Sequence, residues 1–363
     1  MRLKLLFFAL LLASPLLTRG STPNSDTISV FIVGDVMQHY KQLRAALISH
    51  KDSTDASAYD YSECFKYVED RYKNADYTIA NMEFTTGVIP YTGYPLFSAP
   101  VSLAQEMQRI GTDLFLCANN HLCDKGKRGL DSTIVNYERY DMPYTGIYKD
   151  VAQEYNQNPY ITKIGDIKIA FINFTYGLNG HKVAEPFRVS TLDKEEVEET
   201  INRANERGAD IIIALPHWGN EYSLKQSAYQ EDWKQFLMDK GVNIIIGSHP
   251  HVIQPIEVEM NAKGEIFAIT AYSLGNVISN MTVANSQVGA MVTLKLTKDS
   301  DGNVKIVGLE TELTWSAIAG RVEDNYTIIP IKEFIGKKEY FRSEFEYKKM
   351  IDTYNSIKHI IEY

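Results

Sequence analysis

The chain has 363 residues, a formal net charge of −9, 44% hydrophobic residues and 23% charged residues. That length suits one large α/β domain or two smaller ones, and the composition is that of a soluble globular protein. The acidic balance argues against a nucleic-acid partner held by basic patches.

Met1-Arg2-Leu3-Lys4 opens the chain, followed by an apolar run from Leu5 to Leu17 and a small-residue exit. A basic start, a short apolar core and such an exit predict a secretory signal peptide over 1–20, with a polar linker over 21–27. The run is shorter than the ~20 residues of a spanning helix. An exported protein, periplasmic or at the cell surface, is therefore expected; an uncleaved N-terminal anchor is the other reading of the same segment. Three cysteines, Cys64, Cys117 and Cys123, do not make a disulfide scaffold and lack zinc-finger spacing. Cys117 reads as a small buried residue; a Cys117–Cys123 bridge has no support in the sequence.

From residue 28, apolar runs alternate with helical periodicity. Strands are predicted over 28–34, 76–81, 113–119, 167–174, 210–216, 243–248 and 265–273. Helices are predicted over 41–50, 61–74, 101–111, 129–141, 193–207 and 225–240. The alternation indicates an α/β domain. Two later runs, 288–296 and 304–315, flank Lys298-Asp299-Ser300-Asp301-Gly302-Asn303, a hairpin signal. The tail over 338–363 reads as a helix packed on the outside, and no second domain is evident.

Five strand ends break into polar residues: Gly34-Asp35, Asn81-Met82-Glu83, Ala118-Asn119-Asn120-His121, Pro216-His217-Trp218-Gly219 and Gly247-Ser248-His249-Pro250-His251. In the last, proline biases His249 toward an extended backbone, which predicts two imidazoles on one side. Functional groups in open α/β sheets gather beyond the carboxyl ends of strands. Asp35, Glu83, Asn120, His121, His217, His249 and His251 would then meet, a donor set suited to Zn, Mn or Fe. Taken singly, each has a plainer reading: a helix cap for Asp35, a solvated carboxylate for Glu83, a turn for Asn119-Asn120, a core histidine for His217. Four of the eight histidines fall at strand ends; His50, His181 and His359 do not and read as structural. Tyr91, Tyr94 and Phe97, in the loop over 87–100, read equally as cleft wall or as loop core.

These motifs, with Tyr272-Ser273-Leu274-Gly275-Asn276, appear in order from about residue 28 to about residue 290. The series resembles that of the poly-gamma-glutamate capsule-synthesis (CapA-type) proteins, within the calcineurin-like metallophosphatase superfamily. The resemblance implies a four-layer α-β-β-α sandwich of the metallo-dependent phosphatase type over 28–320, with a C-terminal helical extension over 321–363. It implies one or two divalent ions, Zn, Mn or Fe. Asp35 and His251 would hold the first ion; Asn120, His217 and His249 the second; Glu83 would bridge them. His121 would face the scissile group as the catalytic residue. Met37 stands in a slot where the superfamily has a histidine, and a thioether is a poor ligand for hard ions; His39 or water would complete the first centre. Glu83 replaces the superfamily's bridging aspartate.

The function implied is an exported metal-dependent hydrolase or transferase of capsule or surface-polymer biosynthesis. Its substrate would be an anionic polymer or a phosphorylated small molecule, with membrane-bound polymer synthesis and export proteins as further partners. The alternative is a non-catalytic, metal-dependent accessory protein of a polymer synthesis or export complex.

Overall fold

The fold comes from a computed structural model that describes residues 27–318 and 326–363. The predicted leader, all but the last residue of the predicted linker, and the boundary near residue 320 lie outside the described residues. Thr27, placed in the linker by sequence, begins the first strand.

Fourteen strands form one hydrogen-bonded sheet. In chain order they are β1 (Thr27–Val36), β2 (Tyr77–Met82), β3 (Leu114–Leu116), β4 (Tyr144–Thr145), β5 (Tyr160–Ile164), β6 (Ile167–Thr175) and β7 (Ile211–His217). There follow β8 (Ile244–Ile246), β9 (Ile256–Met260), β10 (Ile266–Ala271), β11 (Asn276–Ile278), β12 (Val288–Lys298), β13 (Val304–Ala317) and β14 (Thr327–Pro330). The lateral order is β4-β3-β2-β1-β12-β13-β10-β8-β7-β6-β5, with β11 beside β1, β9 beside β10 and β14 beside β13. The functional strands β1, β2 and β3 run parallel, as do β6, β7, β8 and β10.

Three apolar cores turn this ladder into four layers. Alternate residues of a strand face opposite ways, so Val30 and Ile32 enter a middle core while Phe31 and Val33 enter an outer one. The middle core joins Ile79 and Leu114 from one half of the sheet to Ile169, Ile213 and Ile244 from the other, and the Tyr77 and Phe171 rings stack across it at 5.6 Å. The sheet is thus folded face to face. One outer core lies under the helices Tyr40–Ala46, Val101–Ile110 and Gly126–Arg139 through Leu43, Met107 and Ile134. The other lies under Lys194–Glu206 and Ala228–Asp239 through Ile201 and Trp233. Strands apolar on both faces are what a sheet covered on both sides requires. This is the α-β-β-α sandwich.

The helices start where the sequence supplies caps. Asp193 accepts from the backbone N–H of Glu195 and Glu196, and Ser227 forms a capping box with Gln230. Helix Glu344–Ile357 places Met350, Tyr354 and Ile357 in the middle core. Two predicted helices are shorter than expected. The one over 61–74 is α-helical only at Glu69–Asn74, because Tyr61, Cys64 and Phe65 are drawn into the outer core through successive turns. The one over 41–50 stops at Ala46, where Leu47 turns extended and bridges to Tyr59. The hairpin partners β5 and β9 were not predicted; each closes on a tight turn, at Gly165 and at Asn261–Gly264. All three cysteines are buried and free, so there is no Cys117–Cys123 bridge.

Candidate metal centre

All seven predicted site residues gather at one end of the sandwich, and each is buried. Asp35 arrives through a bulge in β1: its register against β2 shifts between Val33 and Asp35, and against β11 between Asp35 and Val36. A bulge re-aims the side chain it carries. Gly34 permits it, since a Cβ there would meet the Gly275 carbonyl oxygen at 2.0 Å. Asp35 Oδ1 accepts from Asn81 Nδ2 at 2.7 Å, and Oδ2 accepts from the His249 backbone N–H at 3.2 Å.

Glu83, just beyond β2, is the pivot. Its Oε1 lies 3.7 Å from His217 Nε2 and 3.6 Å from His251 Nε2. Both carboxyl oxygens are buried without a hydrogen-bond partner, and so is His249 Nδ1. A buried polar group left unpaired costs about 1–3 kcal/mol, so three such atoms on two neighbouring residues of one cluster mark a place built for something else. Burial first, then neighbouring Asp35, push the Glu83 carboxyl well above its usual range. Burial, then the neighbouring imidazoles, hold His217 and His249 well below the usual histidine value. Burial thus favours the neutral forms of Glu83, His217 and His249. The donor set and its orphaned atoms fit divalent ions.

Two buried triads share Glu83: Asp35–Glu83–His251 and Glu83–His217–His249, with donor atoms within 4.8 Å of one another in each. Asn120 Oδ1 lies 2.8 Å from His217 Nε2 and so joins the second. Ser248 Oγ, at 3.0 Å from His217 Nδ1, and Asn276 Oδ1, at 3.0 Å from His251 Nδ1, fix how those rings are turned. Asn276 is itself held, donating from Nδ2 to the Ser286 carbonyl at 2.9 Å. A third group, Glu221–His249–His251, lies at the exposed mouth.

The two histidines of the last loop converge for a reason other than the expected one. His249 has φ 101° and His251 φ 58°, so the segment is not extended. Both residues sit in a backbone region that bulky side chains rarely adopt, at about 1–3 kcal/mol each. Their rings stand 5.8 Å apart, and the loop divides them between the two triads. Gly247 makes this approach sterically allowed: a Cβ would meet the Tyr272 carbonyl oxygen at 2.3 Å and Trp218 Nε1 at 2.4 Å.

His121 belongs to neither triad. Its Nδ1–H donates to Asp124 Oδ2 at 2.8 Å, and that oxygen also accepts from the Phe97 backbone N–H at 2.7 Å. The Phe97 ring meets the imidazole edge-on at 4.6 Å. The tautomer so fixed turns a bare Nε2 outward. Asp124 was missed by sequence; the available signal was its place three residues after His121. Met37 is fully buried in the outer core, and His39 Nδ1 accepts from the Asn280 backbone N–H at 3.3 Å. Neither joins the clustered groups, whereas the unpredicted Glu221 does.

Above the site opens a cleft of about 530 Å³. Tyr94 and Tyr222 line it, as does His181, which the sequence reading took as structural. The loop over 87–100 divides its aromatics: Phe97 is core, Tyr94 is cleft wall, and Tyr91 packs on Tyr59. Among the described residues, no Lys or Arg lines the cleft.

The chain is similar to several known proteins. The chain is 26% identical over 304 residues to the capsule biosynthesis protein CapA of Bacillus anthracis, covering 79% of this chain and 68% of that one. It is 26% identical over 298 residues to the PGA biosynthesis protein CapA of Bacillus subtilis strain 168, covering 80% and 73%. Among solved structures it is similar to the calcineurin-like phosphoesterase YfkN of Bacillus subtilis, with TM-score 0.45, 17% identity and coverage of 92% and 97%. A putative 5'-nucleotidase of Staphylococcus aureus gives TM-score 0.47 at 15% identity, with coverage of 91% of this chain and 58% of that one. The family described as bacterial capsule synthesis protein PGA_cap matches residues 29–281, the segment that carries all seven residues of the candidate site, and the chain belongs to that family.

Proposed function

We propose that this protein is an exported, divalent-metal-dependent hydrolase or transferase acting on a phosphorylated or otherwise anionic group during the building of a surface polymer. The observation that carries the reading is the Glu83 carboxylate, buried and unpartnered between two histidines. A divalent ion, when bound there, supplies Lewis acidity and an activated water. The biological setting rests on the capsule-synthesis family and its CapA relatives.

The chain's own residues complete the chemistry. Asp35, Glu83, His251, Asn120, His217 and His249 would hold the ions at the cleft floor, and their positive charge would dock an anionic group there, since among the described residues no Lys or Arg lines the walls. His121, oriented by Asp124, holds a proton on Nε2 in its imidazolium form and delivers it to the departing oxygen. Phe97 packs against that ring and shields it from water.

The test is turnover of bis(p-nitrophenyl) phosphate by the mature chain with Mn²⁺, beside Asp35→Ala. Activity that the substitution abolishes is the expected result. A metal-loaded protein that turns over neither phosphoesters nor an acidic polymer such as polyglutamate would return the protein to a non-catalytic accessory role.

A further inference from the structure

One imidazole at the cleft takes no part in either triad or in the His121–Asp124 pair. His39 lines the cleft with His121 and His251, at the start of the helix Tyr40–Ala46. The Phe97 ring stands edge-on to two of these imidazoles, with centroids 5.2 Å from His39 and 4.6 Å from His121. The two rings share one aromatic neighbour, and Phe97 itself is fully buried.

The bonds around His39 fix its tautomer. Nδ1 lies 3.3 Å from the Asn280 backbone nitrogen, whose N–H can only donate and has no other acceptor among the described residues. The Gln42 amide oxygen stands 3.2 Å from the same Nδ1, but it already accepts from the His39 backbone N–H at 2.7 Å. Gln42 Nε2 donates to the Met37 carbonyl at 3.0 Å, which fixes which way that amide is turned. A bare Nδ1 therefore leaves every one of these groups satisfied. The ring is then neutral, with its single proton on Nε2. Nε2 has no partner among the described residues and is not one of the chain's buried orphan atoms, so it opens on the cleft that His39 lines. His121 is the reverse case, with Nδ1–H bonded to Asp124 and Nε2 bare.

We propose that His39 is a substrate-binding residue, whose Nε2–H donates to a non-bridging oxygen of a phosphoryl group docked at the metal centre. This rests on the metal-centre reading above and extends it to a residue outside the seven already assigned. A neutral donor suits that place. Among the described residues the cleft walls carry no Lys or Arg, and a cation there would be repelled by the ions that a neutral imidazole leaves undisturbed. Two imidazoles of opposite tautomer then divide the work at one cleft: His121 handles the proton and His39 holds the oxygen.

The experiment is calorimetric titration of Mn²⁺-loaded residues 21–363 with inorganic phosphate, as wild type, His39→Asn and His39→Gln, with the Mn²⁺ content of each measured alongside. An Asn amide keeps an acceptor for the Asn280 N–H but ends short of Nε2, whereas a Gln amide carries an N–H out to that reach. His39→Asn should keep its ions and weaken phosphate binding by about tenfold or more, and His39→Gln should recover part of the loss. Nitrogen-15 spectra of the metal-free wild type should show His39 with Nδ1 bare and Nε2 protonated at neutral pH. The opposite tautomer, or phosphate bound as tightly by His39→Asn as by the wild type, would overturn the role of His39 and leave the metal centre standing. Loss of an ion in His39→Asn would make the residue a metal ligand and overturn it equally. A wild type that binds no ion would overturn both readings.

Discussion

The two halves of the folded sheet contribute unlike chemistry to the site. The half built on β1, β2 and β3 supplies oxygen: Asp35, Glu83 and Asn120. The half built on β7 and β8 supplies nitrogen: His217, His249 and His251. The oxygen half ends in a bulge and short strand exits, whereas two of the three nitrogens ride on left-handed backbone. Neither half makes a site alone. Burial pushes the Glu83 carboxyl up and the His217 and His249 imidazoles down. What the two halves share is a deficit that only positive charge between them removes.

The strongest way to break this comparison is to delete the group that links the halves. Glu83→Met should lower affinity for divalent ions by more than about 100-fold, since both triads lose a ligand. The same change should stabilise the metal-free protein by about 1–3 kcal/mol, because it removes two unpaired buried oxygens. Calorimetry and a denaturant melt measure the two effects; a loss of both binding and stability would make Glu83 structural.

The catalytic side of the comparison is next in size. His121→Ala should keep its metal and lose about 10²–10⁴-fold in turnover. Asp124→Asn should lose less and retain metal, since it touches the ring rather than the ions. Equal loss of metal and turnover in either variant would contradict a role at the leaving group. Within the nitrogen half, Asn276→Ala should weaken metal binding by about 10–100-fold by freeing the His251 ring, measured by titration against a chelator.

The smallest effect concerns pH. Burial lowers His39 to about 4 from an ordinary 6.5. The folded protein then binds fewer protons than the unfolded chain between those values. Stability from neutral His39 is present above pH 6.5 and is lost as pH falls toward 4, by roughly 1 kcal/mol once its partial exposure is allowed for. His39→Asn, which keeps a helix-capping side chain, should flatten that slope in melts from pH 7 to 4. An unchanged slope would assign the acid sensitivity elsewhere.

Much of this was legible in the chain. Runs such as Ile244-Ile245-Ile246, apolar on both faces, announce strands covered on both sides, and an abrupt Asp, Glu or His after each announces the edge where they meet. The His249-Pro250-His251 geometry was not legible, because the local preference for extension is overridden by bonds to the Trp218–Tyr222 loop. Asp124 and Glu221 were missed for a related reason. Neither directly ends an apolar strand: Asp124 lies three residues past His121 and Glu221 four past His217, each further along a loop that already carries a site residue. The helix predicted over 61–74 forms only at Glu69–Asn74, because Tyr61 and Phe65 serve the core better in turns.

The most direct test of the central claim is the metal content of residues 21–363 beside a His249→Ala/His251→Ala variant, by elemental analysis after reconstitution with Zn²⁺, Mn²⁺ or Fe²⁺. One or two ions per wild-type chain and none in the variant is the result this account predicts. Wild-type protein that retains no ion from any of the three would contradict it, leaving the buried acids and imidazoles as a hydrogen-bond network.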